Sequence, residues 1–369
     1  MTDKEYMRRA LDLAVRGRGT VSPNPMVGAV IVKNNRIIGE GWHKRYGDLH
    51  AERNAFADCK ERGESAEGAT IYVTLEPCCH YGKTPPCTDA IIENKISRVV
   101  IGSADPNPKV GGKGVKILRD NGIEVTEDVL REECDAVNSV FFHYISTGIP
   151  YVVMKYAMTL DGKIATYTGE SKWITGEAAR QNAHKTRSEL SAIMAGIGTV
   201  LADNPMLTCR IPGGVNPVRI ICDTRLRTPL DSNVVSTTNQ ARTLIATCVS
   251  DENRHKPYIQ KGCEIIVVPE LDGHIDLNNL MQKLGEKKID SILLEGGAEL
   301  NWSALKCGIV NKVQAYISPK LFGGAAAKAP IAGTGVAMPD DAFEIVSPTI
   351  QKIGDDILVE GEVKMCSRE

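Results

Sequence analysis

Three short segments constrain this chain more than anything else in it: His50-Ala51-Glu52, Pro77-Cys78-Cys79-His80 and Pro85-Pro86-Cys87. One imidazole and two thiolates fill three of the four positions around a tetrahedral zinc ion, and a fourth position left to water marks a catalytic site. Such an ion makes water a nucleophile at neutral pH, and a carboxylate that is not a ligand then moves the protons. Glu52 is that carboxylate, at the start of a helix expected to run to about Glu61. On a helix, an offset of two residues turns Glu52 about 200° away from His50, so the pocket must wrap around the helix start. Cys78 is preferred to its neighbour Cys79 because it follows Pro77 after the apolar run 69–75. A strand would end there, and a following helix N-terminus would stabilise a thiolate. The competing reading is a structural zinc site with Cys79 or His80 as fourth ligand.

With 369 residues the chain has room for two or three domains, and 42% apolar residues is ordinary for an α/β protein. Its 44 basic and 46 acidic residues give a net charge of −2, and no long basic run occurs. Composition therefore argues against a nucleic-acid partner. Eleven scattered cysteines, an odd number without framework spacing, argue against structural disulfides and for a reducing compartment. The N-terminus lacks a signal-peptide core and no apolar run is long enough to span a membrane, so a cytoplasmic protein is expected.

Thr2-x-x-Glu5 reads as a capping box, with Met7, Ala10, Leu11, Ala14 and Val15 at helical spacing until Gly17. Segments 26–33 and 36–42 flank Asn34-Asn35 as a β-hairpin. After the zinc motifs come a strand at 98–101, a helix at 114–120 and a closing helix at 127–145. The break at 147–150 divides the chain into domains 1–147 and 148–369. The second domain alternates strands near 151–158, 191–195, 218–222, 243–248, 264–268 and 291–294 with helices. It ends in strand-like runs at 312–317 and 355–363, an antiparallel edge on a mostly parallel sheet.

Two strands of this half run into glycine turns, Gly196-Ile197-Gly198-Thr199 and Glu295-Gly296-Gly297-Ala298. A strand, a glycine turn and a helix N-terminus let backbone N–H groups meet a phosphate, although neither turn matches GxGxxG. Lys155 to Lys163 sets polar groups at a strand end, and Trp173 beside Ser171 and Lys172 could stack on a ring. Arg187 and Arg210 could hold phosphate bidentately, with solvated surface charge as the ordinary alternative.

Together these residues resemble the bacterial bifunctional deaminase/reductase family of riboflavin biosynthesis, over nearly the whole chain. The resemblance rests on Pro23-Asn24-Pro25-Met26-Val27-Gly28, on His50-Ala51-Glu52, and on Leu75-Glu76-Pro77-Cys78 with Pro86-Cys87 eight residues on. It continues through Lys155 to Gly162, Gly198-Thr199, Asp203-Asn204-Pro205-x-Leu207-Thr208-x-Arg210 and Glu295-Gly296-Gly297. It implies an α/β protein with a cytidine-deaminase-like αβα domain followed by a dihydrofolate-reductase-like αβα domain. The first would deaminate 2,5-diamino-6-(5-phosphoribosylamino)pyrimidin-4(3H)-one. The second would use NADPH to reduce the ribosyl group of 5-amino-6-(5-phosphoribosylamino)uracil to ribityl.

The same resemblance implies zinc on His50, Cys78 and Cys87, with Glu52 as proton shuttle, and Asn24, His43, His80 and Lys83 around the substrate. It puts Ala157, Trp173, Thr199, Asp203, Thr224 and the run Gly297, Ala298, Glu299, Leu300, Asn301, Trp302 and Ser303 near NADPH. Ser171, Arg187, Leu207, Arg210 and Glu295 fall near the phosphoribosyl substrate. Lys155 and Asp161 are the ionisable groups nearest the proton donation that accompanies hydride transfer. Cys79 stands where similar proteins carry Ser, and similar enzymes assemble as dimers or tetramers. The alternatives are a nucleic-acid base deaminase with a C-terminal binding module, a structural-zinc nucleotide sensor, and a deaminase with a decayed reductase half.

Overall fold

Helix α1 (Asp3–Ala14) opens the chain with the expected capping box, the Glu5 carboxylate accepting from the Thr2 backbone N–H at 2.6 Å. Strands β1 (Gly28–Lys33) and β2 (Arg36–Trp42) are joined by Asn34 and Asn35, both left-handed at φ 52° and 59°. That pair of conformations twists a two-residue hairpin the right way, and Asn tolerates it. The computed structural model describes residues 1–81, 85–107 and 110–365. It divides into two compact units, Met1–Gly148 and Ile149–Glu369.

The first unit continues with α2 (Ala51–Glu61), β3 (Thr70–Leu75), α3 (Cys87–Glu93), β4 (Arg98–Ser103), α4 (Lys113–Asp120), β5 (Glu124–Thr126), α5 (Arg131–Val137) and α6 (Ser139–Thr147). Its sheet runs β2-β1-β3-β4-β5, antiparallel at the hairpin end and parallel from β3 onward. Side chains alternate across a strand. Ala29 and Ile31 of β1 therefore join Ala55, Phe56, Ile91 and Leu118 on one face, while Val30 and Val32 meet Tyr6, Met7, Ala10 and Leu13 of α1 on the other. Two glycines set how closely the helices seat. A Cβ at Gly28 would collide with the Ala10 carbonyl of α1, and one at Gly41 with the Ala51 carbonyl at the start of α2.

The single closing helix expected over 127–145 is instead two short helices, α5 and α6, broken at Asn138. Asn138 is buried, and its side chain accepts from Met26 N at 2.8 Å and donates to Met26 O at 2.9 Å. Its apolar surroundings supply helical spacing, but its amide is committed to a distant backbone. Gly148, left-handed at φ 76°, caps α6 and ends the unit.

The second unit comprises β6 (Tyr151–Thr159), α7 (Glu177–Glu189), β7 (Ala192–Gly196), α8 (Ile197–Asp203), β8 (Val218–Cys222), α9 (Asn233–Ser236), β9 (Thr243–Thr247), α10 (Glu252–Gln260) and β10 (Glu264–Val267). A small hairpin of β11 (Glu270–Leu271) and β12 (His274–Ile275) follows, then α11 (Leu277–Glu286), β13 (Ser291–Leu294), α12 (Ala298–Lys306), β14 (Val310–Ser318), β15 (Phe343–Ile353) and β16 (Asp356–Met365). The large sheet runs β10-β9-β8-β7-β13-β6-β14-β16-β15, parallel from β10 to β14 with an antiparallel β16-β15 edge. Its central strands are apolar on both faces. Met194 and Leu294 face one cluster and Ile193 and Ile245 the other, which is why they read as continuous runs. Strand β15 is the addition: it is largely exposed, contains Pro348 and shifts register between Val346 and Thr349, so no alternation announces it.

Asn138→Ala leaves the Met26 amide and carbonyl without partners. It should lower the stability of the first unit by about 2–4 kcal/mol, read by chemical denaturation of the full chain.

Candidate active sites

His50 immediately precedes α2 and is extended, at φ −69° and ψ 165°. Its side chain therefore does not follow the helical screw, and the 200° separation from Glu52 expected on an ideal helix does not apply. Both residues line one cavity of about 310 Å³. Cys78 lies in the loop after β3, and no helix begins there; the helix start that faces its sulfur is that of α3. Cys87 is the first residue of α3, and its N–H donates to Cys78 Sγ at 3.4 Å. The thiolate is thus stabilised by a helix start from elsewhere in the chain.

His50 Nδ1 lies 3.4 Å from Cys78 Sγ and 3.3 Å from Cys87 Sγ. A tetrahedral ion with zinc–sulfur distances of about 2.3 Å and zinc–nitrogen distances of about 2.0 Å separates such donors by about 3.5 Å, so the set fits zinc. Among the described residues the group contains these three donors and no fourth. The pattern matches an open catalytic site, and Cys79 stands outside it. Cys78 is held well below the ordinary thiol range by hydrogen bonds from Cys87 and His50. Cys87 keeps its proton because it donates to Cys78 and is buried. Metal binding to such a pair releases the proton.

Glu52 is 3% exposed and its pKa is pushed up, first by burial and then by Cys78. A carboxyl raised in this way is better suited than an ordinary carboxylate to accept a proton and return it. Two further groups hold the loops. The buried Glu76 accepts from Gly112 N at 3.0 Å and Val115 N at 3.2 Å, tying the segment before Cys78 to the start of α4. Arg53 donates to the Pro86 carbonyl at 2.8 Å, just before Cys87.

Asn24, His43 and His80 line the same cavity; Lys83 lies outside the described residues. His43 Nδ1 donates to the Leu49 carbonyl at 3.0 Å, so neutral Nε2 accepts from Asn24 Nδ2 at 3.1 Å. His80 Nδ1 is buried without a partner among the described residues. Sequence reasoning missed Asp105, Asn107, Phe141 and Tyr144, which also line it. Burial pushes Asp105 up to about 6. The available signal was Asp105-Pro106-Asn107, a turn at the carboxyl end of β4 beside the strand that leads to Cys78.

In the second unit, β7 and β13 are adjacent and parallel, so their glycine turns lie side by side. The Gly196 N atom lies 3.4 Å from where a Gly296 Cβ would sit, and Thr199 Oγ1 lies 3.5 Å from that of Gly297. Gly198 faces open space. Paired helix starts with exposed N–H groups fit a dinucleotide pyrophosphate. Thr224 follows β8 at the same edge, its carbonyl accepting from Cys248 N at 3.1 Å. The run 297–303 divides. Gly297 and Ala298 form the turn and Glu299 begins α12, while Leu300 packs under Gly296. Asn301 donates to the Pro330 carbonyl, Trp302 packs on Phe343, and Ser303 donates to the Glu299 carbonyl. Asp203 is exposed at the end of α8.

A second cavity, about 150 Å³, is lined by Lys155, Ala157, Ser171, Trp173, Arg187 and Arg210, with His184, Arg180 and Tyr316 unforeseen. Arg187 grips Glu295 through Nε at 2.7 Å and Nη2 at 2.8 Å, and its Nη1 donates to the Thr208 carbonyl at 3.1 Å. Its fork is therefore committed within the protein, while Lys155, Arg180 and Arg210 also line the cavity. Lys155 Nζ is 3.5 Å from Glu295. Burial alone would raise Glu295, yet Arg187 and Lys155 hold it far below the carboxylate range. Burial, then Arg187 and Arg210, lower His184 to about 4, so it is neutral at pH 7. Leu207 packs into the apolar core. Asp161 lies outside this cavity: its carboxylate accepts from Thr159 Oγ1 at 2.5 Å, Gly323 N at 2.6 Å and Phe322 N at 3.1 Å, securing a loop.

A family model described as the cytidine and deoxycytidylate deaminase zinc-binding region matches residues 1–103, and one described as the RibD C-terminal domain matches residues 150–359. The riboflavin biosynthesis protein RibD of Actinobacillus pleuropneumoniae is 55% identical over 360 residues, covering 98% of this chain and 95% of that protein. This chain belongs to the RibD family. RibD of Escherichia coli K12 is 39% identical, over 97% of this chain and 98% of its own. A Thermotoga maritima structure, described as a diaminohydroxyphosphoribosylaminopyrimidine deaminase/5-amino-6-(5-phosphoribosylamino)uracil reductase, superposes with a TM-score of 0.86 at 40% identity, covering 98% of this chain and 99% of that one.

As a RibD, the chain is a bifunctional enzyme of riboflavin biosynthesis, with a zinc-binding cytidine-deaminase-like deaminase domain and a dihydrofolate-reductase-like reductase domain that uses NADPH. No helix among the described residues is long and apolar enough to cross a membrane.

Because Cys79 is outside the donor set, Cys79→Ser should keep one zinc per chain while Cys78→Ser loses it, measured as zinc content after gel filtration. His184 is depressed from 6.5 to about 4, so stability from this group is complete above 6.5 and is lost as pH falls toward 4. Thermal unfolding of His184→Gln should therefore depend less on pH across that window than wild type.

Proposed function

We propose that the first unit hydrolyses the 2-amino group of 2,5-diamino-6-(5-phosphoribosylamino)pyrimidin-4(3H)-one. The second unit then reduces the ribosyl chain of 5-amino-6-(5-phosphoribosylamino)uracil to ribityl with NADPH. The observation that carries this reading is the buried Glu52 beside a three-donor site in a cavity large enough for a heterocycle. The description of the Thermotoga maritima structure names the same two substrates for that protein.

His50, Cys78 and Cys87 would hold zinc, which would lower the pKa of a water to about 7 and so supply the nucleophile. Glu52 takes the proton of the attacking water, gives it to the neighbouring ring nitrogen, and passes a proton to the departing amine, which leaves as ammonia. His43, Asn24 and Asp105 orient the ring, and His80 meets the phosphoribosyl end.

Reduction adds a hydride to C1′ of the ribosyl group and a proton to the ring oxygen, which opens the sugar. NADPH supplies the hydride when bound. The turns at Gly198-Thr199 and Gly297-Ala298 would hold its pyrophosphate, and Ala157 and Trp173 would border its nicotinamide. Asp203 and Thr224 would flank the dinucleotide. Lys155, mostly buried and oriented by Glu295, donates the proton. Ser171 and Arg210 hold the substrate, while Arg187 fixes Glu295 and the loop carrying Leu207. The free state of all ten described cysteines supports a cytoplasmic enzyme.

A coupled assay tests the reading: ammonia release from the diaminopyrimidinone with and without NADPH, alongside NADPH oxidation. Wild type should release ammonia without NADPH and oxidise NADPH only after deamination. Glu52→Gln should slow ammonia release by about 10²–10⁴ while retaining zinc. Gly198→Leu projects into open space, so it should fold normally yet raise the KM for NADPH at least about tenfold. Absence of both signals from zinc-loaded protein would overturn the substrate assignment.

A further inference from the structure

Helix α7 meets the loop that carries Arg210 along one face. His184, Arg187 and Ser188 stand at i, i+3 and i+4, the spacing that brings side chains together on a helix. Each engages the backbone of the loop. Arg187 Nη1 donates to the Thr208 carbonyl at 3.1 Å, the Arg210 N–H donates to His184 Nδ1 at 3.3 Å, and the Val215 N–H donates to Ser188 Oγ at 2.8 Å. The Cys209 thiol adds a fourth contact, donating to the His184 carbonyl at 3.3 Å. The loop is also closed on itself: Cys209 N donates to Asn216 Oδ1 at 3.0 Å and Gly214 N to the Ile211 carbonyl at 3.1 Å. A Cβ at Gly214 would collide with Cys209 Sγ, so the closure is tight.

Of these bonds, the one to His184 depends on protonation state. Nδ1 accepts only while it carries no proton, so the ring holds its proton on Nε2 and is neutral. Burial first, then Arg187 and Arg210, favour that state, with Lys155 adding to the effect and Glu295 opposing it. His184 and Arg210 line the same cavity, and the other cations there have partners. Arg187 grips Glu295, Lys155 lies 3.5 Å from the same carboxylate, and Arg180 stacks over Trp173 and donates to the Thr175 carbonyl at 2.7 Å. The Arg210 guanidinium has no such partner among the described residues. A long side chain binds an anion well only when little freedom is left to lose, and fixing its backbone removes part of that cost beforehand.

We propose that His184 is a positioning residue of the reductase site: by accepting the Arg210 N–H, it fixes the backbone from which Arg210 reaches the phosphate of the phosphoribosyl substrate. The inference rests on the reading that Arg210 holds that substrate. Ser188 secures the far end of the same loop and has the smaller part, because it lies five residues from Arg210 along the chain. The phosphate is remote from the carbon that takes the hydride, so loss of positioning weakens binding and spares turnover.

Steady-state NADPH oxidation by the zinc-loaded full chain tests this, with 5-amino-6-(5-phosphoribosylamino)uracil as substrate and its dephosphorylated ribosyl counterpart as competitor. The amide of Gln reaches the Nε2 position and that of Asn the Nδ1 position. His184→Gln should therefore raise the KM for the substrate about three- to tenfold, as loss of one hydrogen bond implies, with kcat and the KM for NADPH unchanged. The competitor, which lacks the phosphate, should inhibit as before. His184→Asn should restore most of the binding. Arg210→Gln should raise the same KM about tenfold or more, and adding His184→Gln to it should raise it no further. Ser188→Ala should give a smaller rise, and Lys185→Gln, exposed on the same helix, should give none.

If His184→Asn binds as poorly as His184→Gln, the ring acts through Nε2 or through packing, and the proposal fails. It fails equally if the losses add in the double variant, or if His184→Gln leaves the KM unchanged while Arg210→Gln raises it. If Arg210→Gln leaves the KM unchanged, the reading of Arg210 itself is overturned, and this proposal with it.

Discussion

The deaminase site depends on how closely α2 seats on the β1–β2 hairpin. Gly39 and Gly41 leave no room for a side chain between strand and helix, so the start of α2 lies directly on the sheet. That contact fixes His50 and Glu52 at the carboxyl end of β3, where the chain turns into the cysteine loop. Three donors from two distant segments then converge to within 4.8 Å of one another. A larger residue at Gly41 would lift the helix, and with it a ligand and the proton carrier together.

In the reductase unit the corresponding constraint is electrostatic. Glu295 closes β13, adjoins the second glycine turn, and is gripped by Arg187 of α7 and approached by Lys155 of β6. Breaking such a buried pair leaves an uncompensated charge, which costs far more than a surface ion pair contributes. Arg187 also holds the Thr208 carbonyl, so one guanidinium joins the second glycine turn to the loop carrying Leu207. Burial, reinforced by Arg187 and Arg210, keeps His184 neutral in this cavity.

Much of this was legible without coordinates. Capping at Thr2 and Glu5, the Asn34-Asn35 turn and the double-faced apolar strands of the parallel sheet are local signals with local causes, and they appear where they were expected. Asn138 and β15 were not legible for opposite reasons. Asn138 sits within helical spacing but is diverted by a hydrogen-bond partner 112 residues away. Strand β15 owes its conformation to pairing with β16 and not to any pattern of its own. Asp161 and Arg187 carry the right chemistry at suggestive places, yet their hydrogen-bonding capacity is committed to backbone and side-chain partners that lie far off in the sequence.

The sequence by itself determined the candidate zinc donors, the carboxylate beside them, the two-unit organisation and the two glycine turns, because each is a matter of residue type at short spacing. Tertiary structure decided which of those groups remain available to a ligand. It turned His50 out of the helical screw so that Glu52 shares its cavity, supplied the Cys78 thiolate with the helix start at Cys87, and committed Arg187 to Glu295. Availability depends on what else lies within about 3 Å of a polar atom, and only the folded chain brings those neighbours together.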